Sequence, residues 1–189
     1  MNHIQIYDNI LSKETCDDII KFFEESSDRG IGWIGHEREV VKSRKDSIDL
    51  GLVFSIPKNE KECKVRQDIF NALNICTKRY VKKYPHLDHI DSWNVTDSYN
   101  IQKYNDGGGY HKMHCENDGG VNVTQMLVWM IYLNNAKCGT RFYYPTRDVR
   151  ARRGRVVIWP AFWTHPHSGI TPNKGDKYII TGWYSYKGG

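Results

Sequence analysis

The sequence contains no apolar run long enough to cross a bilayer, and its first residues lack the basic and apolar segments of a signal peptide. It also lacks any C-x-x-C pair, and its five cysteines are odd in number: Cys16, Cys63, Cys76, Cys115 and Cys138. This usage argues against a disulfide framework and against a cysteine zinc site. We therefore expect reduced thiols, an intracellular location and no membrane association.

Internal repeats and low-complexity segments are absent as well, and the charge is nearly balanced. The chain has 27 Lys and Arg against 22 Asp and Glu, a net charge of +5. That mild excess permits a nucleic-acid partner without favouring one. The length of 189 residues and the hydrophobic content of 39% predict one globular domain over 1–189.

The first ninety residues carry helical patterns. Ser12 is a candidate N-cap for an amphipathic helix, and Asn59 is one for a longer helix that ends before Pro85. Residues 3–7 alternate like a short strand. The polar stretch 30–51 is predicted to be an ordinary surface loop, with a flexible cover over a cleft as the alternative.

After His86 the chain changes to short β-branched and aromatic runs separated by turn residues, which is typical of a β-sandwich or jelly roll. The predicted strands are 98–104, 110–116, 123–133, 140–144, 155–159, 164–168 and 177–186. We therefore predict an α+β fold. Helical support over about 1–90 should buttress a double-stranded β-helix (jelly roll) over about 91–187.

A histidine and a carboxylate lie two positions apart at His114 and Glu116. On a strand such side chains project to the same face. Two imidazoles and one carboxylate form the facial set that holds non-haem Fe(II) with coordination positions open. His111 and Asp118 are nearby competitors, but His111 should face the other way and Asp118 lies where the strand should end. Taken alone, a histidine beside an acid is also common on protein surfaces.

The third ligand has to come from a distant strand, and His165 and His167 are both candidates. They cannot both bind if positions remain open for other ligands. Further on, Lys177 begins an apolar strand, where an unpaired ammonium is costly to bury. Buried acidic side chains or a bound carboxylate would explain it, and so would a lysine whose head group reaches water.

Five short motifs occur in the order found in Fe(II)/2-oxoglutarate dioxygenases of the prolyl 4-hydroxylase type, which the chain resembles. They lie at 104–116 (Tyr-x5-Tyr-x3-His-x-Glu), 132–134, 138–142, 154–160 and 165–183. The opening segment 7–23 is also similar to these enzymes, so the resemblance covers nearly the whole chain. It implies Fe(II), 2-oxoglutarate and O2 as cofactors, and it points to ascorbate as an additional one.

The resemblance implies that His114 and Glu116 are metal ligands. In the family the last ligand lies about nine or ten positions before the basic residue, which selects His167. A Pro-x4-His spacing counted from Pro160 selects His165 instead, and we keep His165 as the alternative. Glu116 stands where aspartate is more usual, which leaves the metal distance less defined.

The same resemblance implies that Lys177 binds the distal carboxylate of 2-oxoglutarate. Tyr104 and Tyr132 match tyrosines that hydrogen-bond this cosubstrate, and Thr181, four residues beyond Lys177, is a further candidate donor. Some relatives have arginine at the basic position. Lysine supplies a point charge there instead of a planar guanidinium that can form two parallel hydrogen bonds.

The activity implied is hydroxylation of a prolyl residue in a protein or peptide, with release of succinate and CO2. The stretch 30–51 could then be a lid over the peptide. The metal ligands do not define the substrate, because one scaffold serves many substrates. The alternatives are oxidative demethylation of a nucleic-acid base on the same scaffold, and a jelly-roll binding module without catalysis.

Overall fold

The computed structural model describes residues 3–35 and 38–187, which form two α-helices and twelve strands. In chain order they are β1 (Gln5–Tyr7), α1 (Lys13–Glu25), β2 (Gly30–Ile31), β3 (Lys45–Asp46), β4 (Ile48–Val53), α2 (Glu60–Lys83), β5 (Trp93–Tyr104), β6 (Gly109–Tyr110), β7 (Gln125–Tyr132), β8 (Gly139–Tyr143), β9 (Thr146–Arg150), β10 (Arg155–Pro160), β11 (His167–Ile170) and β12 (Lys177–Tyr186).

Both helices begin where the sequence predicts. The Ser12 side chain accepts a hydrogen bond from the backbone N–H of Thr15 at 3.1 Å, and that of Asn59 accepts one from Glu62 at 2.9 Å. These bonds satisfy backbone donors that the first helical turn leaves free. In the described part of the chain, no helix is both long and apolar enough to span a membrane.

Two sheets and the helices form the layers of the fold. The large sheet has seven antiparallel strands in the order β1-β10-β7-β12-β5-β4-β2, and the small sheet has the order β11-β8-β9. On the inner strand β7, Trp129 and Ile131 pack with the helices, whereas Met130 and Tyr132 pack with the small sheet. This alternation places the large sheet between the helical layer and the small sheet. The predicted α+β jelly roll with buttressing helices is confirmed.

The prediction of a loop over 30–51 is wrong at 30–31, 45–46 and 48–51, where β2, β3 and most of β4 lie. Strand β4 pairs with β5 in the large sheet, with Ile48 opposite Lys103, and β3 pairs with β6. Buried Leu50 and Leu52 alternate with exposed Gly51 and Val53, a strand pattern hidden behind the charged residues before it. Residues 36 and 37 of this stretch lie outside the described residues.

Two predicted strands near the candidate site are shorter than expected. Strand β6 ends at Tyr110, and beyond it His114 makes only an isolated bridge to His167. Strand β11 begins at His167, because Pro166 has no N–H to donate to a ladder. Strand β9, at the edge of the small sheet, is not among the predicted strands.

Candidate metal centre and cosubstrate pocket

A cavity of about 880 Å³ opens between the two sheets. Its walls come from β5 and β12 of the large sheet and from β8 and β11 of the small one, and part of the segment 28–45 forms its rim. The lining includes His114, Glu116 and His167 as well as Lys177. The fold therefore brings the ligand-type side chains and the lysine into one cavity.

His114, Glu116 and His167 each offer a nitrogen or oxygen within 4.8 Å of the others. Glu116 Oε1 lies 3.3 Å from His167 Nε2, and the centroids of the two imidazole rings are 4.4 Å apart. Tyr110 stacks on the other side of the His114 ring at 3.8 Å. Two imidazoles and a carboxylate at this spacing can converge on one metal ion.

Backbone contacts orient both imidazoles. The N–H of His114 donates to the carbonyl of His167 at 2.9 Å, and the N–H of His167 donates back at 2.8 Å. Nδ1 of His114 lies 2.9 Å from the carbonyl of Lys112, and Nδ1 of His167 lies 3.1 Å from that of His165. Because each Nδ1–H can donate to a carbonyl, each Nε2 keeps its lone pair for a metal.

The electrostatics of the group also fit a cation. Burial and the neighbouring His167 lower the pKa of His114 to about 4. Burial alone would raise the pKa of Glu116, but the charge and hydrogen bond of His167 lower it on balance. Burial would likewise lower the pKa of His167, and Glu116 raises it. Glu116 Oε2 is buried and has no hydrogen-bond partner among the described residues, an arrangement that a divalent cation would relieve.

His165 lies outside this group. Its Nδ1 contacts the hydroxyl of Thr164 at 2.8 Å, and its ring centroid is 6.3 Å from that of His3. It is buried but does not line the cavity. Of the two late histidines, the structure brings His167 to His114 and Glu116.

Lys177 is buried in the cavity wall with only 2% of its surface exposed. Its Nζ lies 3.4 Å from the carbonyl of Gly139 and 4.5 Å from the ring centroid of Tyr104. No carboxylate pairs with it among residues 3–35 and 38–187, and burial lowers its pKa to about 8. The interpretation that its head group reaches water is wrong. A buried ammonium without a counter-ion beside a cavity suits a bound carboxylate.

The other three predicted cosubstrate residues differ in their position. Tyr104 and Thr181 line the cavity, with the Thr181 hydroxyl donating to the carbonyl of Trp129 at 3.3 Å. Tyr132 lies one layer behind, where its hydroxyl is 2.7 Å from that of Thr140. Thr140 is the residue that reaches the cavity.

Sequence reasoning missed a row of buried polar side chains in the same wall. Lys45, Asp49 and Gln102 line the cavity, and both Lys45 and Gln102 donate hydrogen bonds to the Asp49 carboxylate. A signal for Gln102 exists, because Ser98, Asn100 and Gln102 place polar groups at every second position of a strand that ends in the candidate Tyr104. Lys45 and Asp49 lie in the stretch that was expected to be a loop.

Residues 99–185 match the family model described as the 2OG-Fe(II) oxygenase superfamily, and this segment contains every candidate ligand and cosubstrate residue. This match agrees with the sequence motifs, which resemble those of 2-oxoglutarate dioxygenases. The match supports a 2-oxoglutarate-dependent dioxygenase that uses Fe(II), 2-oxoglutarate and O2. No curated protein matches the chain.

Several solved structures share the fold. A prolyl hydroxylase from Trichoplax adhaerens, in complex with a hypoxia inducible factor oxygen degradation domain peptide, has a TM-score of 0.74 at 15% identity, covering 98% of this chain and 84% of that one. A viral collagen prolyl hydroxylase from Paramecium Bursaria Chlorella virus-1, in a 2OG complex, has a TM-score of 0.68 at 16% identity, covering 98% and 97%. A prolyl-4-hydroxylase from Pseudomonas putida has a TM-score of 0.68 at 15% identity, covering 98% and 94%.

Proposed function

We propose that the protein hydroxylates a prolyl residue in a peptide or protein, with 2-oxoglutarate converted to succinate and CO2. The observation that carries this proposal is a group of two imidazoles and a carboxylate in the same cavity as a buried lysine that has no counter-ion among the described residues. The similar folds of three prolyl hydroxylases support the choice of substrate.

In this proposal His114, Glu116 and His167 hold Fe(II), and His165 is the weaker alternative for the third position. The support for His167 is its 3.3 Å contact with Glu116 and its backbone pairing with His114. When bound, Fe(II) and 2-oxoglutarate supply the oxygen activation and oxidative decarboxylation that hydroxylation requires. The protein holds the ligands in place, hydrogen-bonds the Nδ1 of each histidine to a carbonyl so that each Nε2 can face the metal, and shields the site from water.

Lys177 pairs with the far carboxylate of 2-oxoglutarate in this proposal, since its ammonium is already desolvated and faces the cavity. Tyr104 and Thr181 offer hydroxyl groups to the same pocket. Tyr132 acts indirectly by orienting the Thr140 hydroxyl. We also propose ascorbate as the reductant that keeps the iron ferrous, on the strength of the family resemblance.

A peptide substrate is supported by the size and lining of the cavity. Its volume lies near the upper end of the usual range for ligand pockets, about 300–1,000 Å³, which leaves room beyond a small diacid. Trp33 and Trp183 line it, and Trp33 is 45% exposed at the rim. Aromatic-lined grooves suit proline-containing segments, which adopt an extended helix with little entropy left to lose.

The remaining expectations are proposals of the same kind. An intracellular location is supported by the cysteines, all five of which are free. A single-domain organisation is supported by the large sheet, which takes strands from both ends of the chain: β1 pairs with β10, and β4 pairs with β5. Oxidation of a nucleic-acid base keeps only the net charge of +5 in its favour.

Succinate formation tests the proposed substrate class. The Fe(II)-loaded protein should produce succinate faster with proline-rich peptides than without substrate, and mass spectrometry should show a gain of one oxygen on proline. Methylated oligonucleotides serve as the comparison and should give only background turnover. Oligonucleotide-dependent turnover without peptide-dependent turnover would contradict the proposal.

A further inference from the structure

A chain of hydrogen bonds links two neighbouring strands of the cavity wall, β4 and β5, and ends at Tyr104, whose ring lies against the Lys177 ammonium of β12. The register places Asp49 of β4 opposite Gln102 of β5, and Tyr104 of β5 opposite Lys177 of β12. Gln102 Nε2 donates to Asp49 Oδ2 at 3.0 Å, and the Tyr104 hydroxyl donates to Gln102 Oε1 at 3.1 Å. Gln102, Tyr104 and Lys177 are each at most 5% exposed, so water does not replace these bonds easily.

Asp49 determines which way the Gln102 amide points. An ionised carboxylate can only accept hydrogen bonds, so the NH2 group of Gln102 must face Asp49. Turning the amide over would place its oxygen against the carboxylate and leave its NH2 group beside the Tyr104 hydroxyl. The oxygen of Gln102 is therefore held toward Tyr104 as an acceptor.

Tyr104 has one proton to donate, and in this arrangement Gln102 accepts it. Burial raises the pKa of Tyr104 well above its ordinary value, so the phenol keeps that proton throughout the physiological range. A carboxylate bound at Lys177 carries no proton of its own and can accept only from protein donors. Tyr104 cannot donate to such a carboxylate and to Gln102 at the same time.

We propose that Gln102 sets the affinity for 2-oxoglutarate by competing with its far carboxylate for the single hydroxyl proton of Tyr104. This inference rests on the proposed function, because it assumes that 2-oxoglutarate binds against Lys177. A hydrogen bond to a charged acceptor is the stronger one, so Tyr104 turns to the carboxylate on binding. The buried oxygen of Gln102 then loses its hydrogen-bond partner, and that loss reduces the net free energy gained when 2-oxoglutarate binds.

The competing acceptor on Gln102 can be removed without leaving the Asp49 carboxylate unpaired. Asp49 also accepts from the Lys45 ammonium at 2.5 Å and from the Ser47 hydroxyl at 2.8 Å. It therefore remains paired when the Gln102 amide is absent. Gln102→Leu deletes the competing acceptor and keeps a side chain of similar length in the wall.

The test is calorimetric titration of the Fe(II)-loaded protein under anaerobic conditions. Gln102→Leu should bind 2-oxoglutarate roughly three- to tenfold more tightly than the parent, the factor that one net hydrogen bond provides. Affinity for 2-oxovalerate, a 2-oxo acid without the second carboxylate, should not change. In a Tyr104→Phe background the substitution at Gln102 should have no effect on 2-oxoglutarate affinity, because no proton remains to compete for.

Gln5→Leu is the matched control, since it removes another glutamine–tyrosine hydrogen bond, the one from Gln5 to the Tyr84 hydroxyl, outside the cavity. It should leave both affinities at the parent values. If Gln102→Leu does not fold, Gln102→Met removes the same acceptor with a more adaptable side chain.

Equal or weaker binding of 2-oxoglutarate by the Gln102 variants, with binding by the parent intact, overturns this inference alone. An equal gain for 2-oxovalerate also overturns it, because the effect would then not involve the second carboxylate. A parent protein that binds no 2-oxoglutarate overturns the proposed function and the inference together.

Discussion

The Lys177 ammonium lies in a buried position, where loss of hydration disfavours its protonated form. Its only described polar contact is a carbonyl at 3.4 Å, and the Tyr104 ring lies 4.5 Å below its ammonium. A pKa of about 8 against an ordinary value of 10.5 means that folding with the protonated lysine costs on the order of 3 kcal/mol. Such a cost at a cavity wall is typical of a residue retained for binding rather than for stability.

Lys177→Met should therefore stabilise the protein without ligands while abolishing tight binding of 2-oxoglutarate. The folded state binds fewer protons than the unfolded state between pH 8 and 10.5, so the cost is fully present below pH 8 and disappears as the pH rises toward 10.5. Urea unfolding at pH 7 should show the variant more stable by about 1–3 kcal/mol, with the gap narrowing at pH 10.

Lys103→Met is the matched control, because Lys103 is paired with Glu24 at 2.9 Å and with Asp176 at 3.2 Å. It should lose stability. A loss of the same size for Lys177→Met at pH 7 would show that the buried ammonium already has a counter-ion.

At the scale of elements, the parts that could be predicted are those whose signal is local. The capping residues Ser12 and Asn59 mark helix starts through their own side chains, and the alternation in β12 marks a buried strand. Strand β4 escaped prediction because a charged stretch precedes its alternating residues, and its pairing with β5 defines its place in the sheet. Local signals are weak wherever tertiary pairing decides the conformation.

The candidate site shows the same division. The His-x-Glu spacing and the late histidine predict a metal group, although His114 and Glu116 share a direction without lying on the expected strand. The choice between His165 and His167 depends on how the chain turns at Pro166. The Asp49–Gln102–Tyr104 chain depends on register across two strands, which no local pattern encodes.

The hairpin of β8 and β9 is the element that supports Lys177 from the small sheet. A Cβ added at Gly139 would lie 1.9 Å from the backbone carbonyl oxygen of Val149, and a backbone atom cannot move aside as a flexible side chain can. Gly139→Ala should destabilise the protein by about 2 kcal/mol or more, measured by urea unfolding. Gly30→Ala is the control, because a Cβ there meets nothing within 4 Å, and its effect should stay within about 0.5 kcal/mol. Equal effects from both substitutions would contradict the packing described for this hairpin.

At the scale of the whole molecule, the metal group joins the two layers of the sandwich. His167 belongs to the small sheet, whereas His114 and Glu116 lie on the segment that leaves β5 of the large sheet through β6. A metal bound by all three would connect the layers and would bind the folded state alone. Binding of this kind raises stability by mass action.

Mn(II) should therefore raise the midpoint of thermal unfolding, and a chelator should reverse the shift. At a free metal concentration 100 times the Kd, the gain is about 2.7 kcal/mol. Glu116→Gln replaces the carboxylate with an amide of the same shape and should remove most of the metal dependence. A variant whose midpoint still rises with Mn(II) as much as the parent's would place the metal elsewhere.

The most direct test of the central claim is an anaerobic titration of the protein with Fe(II) and 2-oxoglutarate, followed by visible absorption. The parent should develop the weak charge-transfer band of the iron chelate, His165→Ala should retain it, and His167→Ala should lose it. No band in the parent, or a band lost in His165→Ala and kept in His167→Ala, would contradict the account.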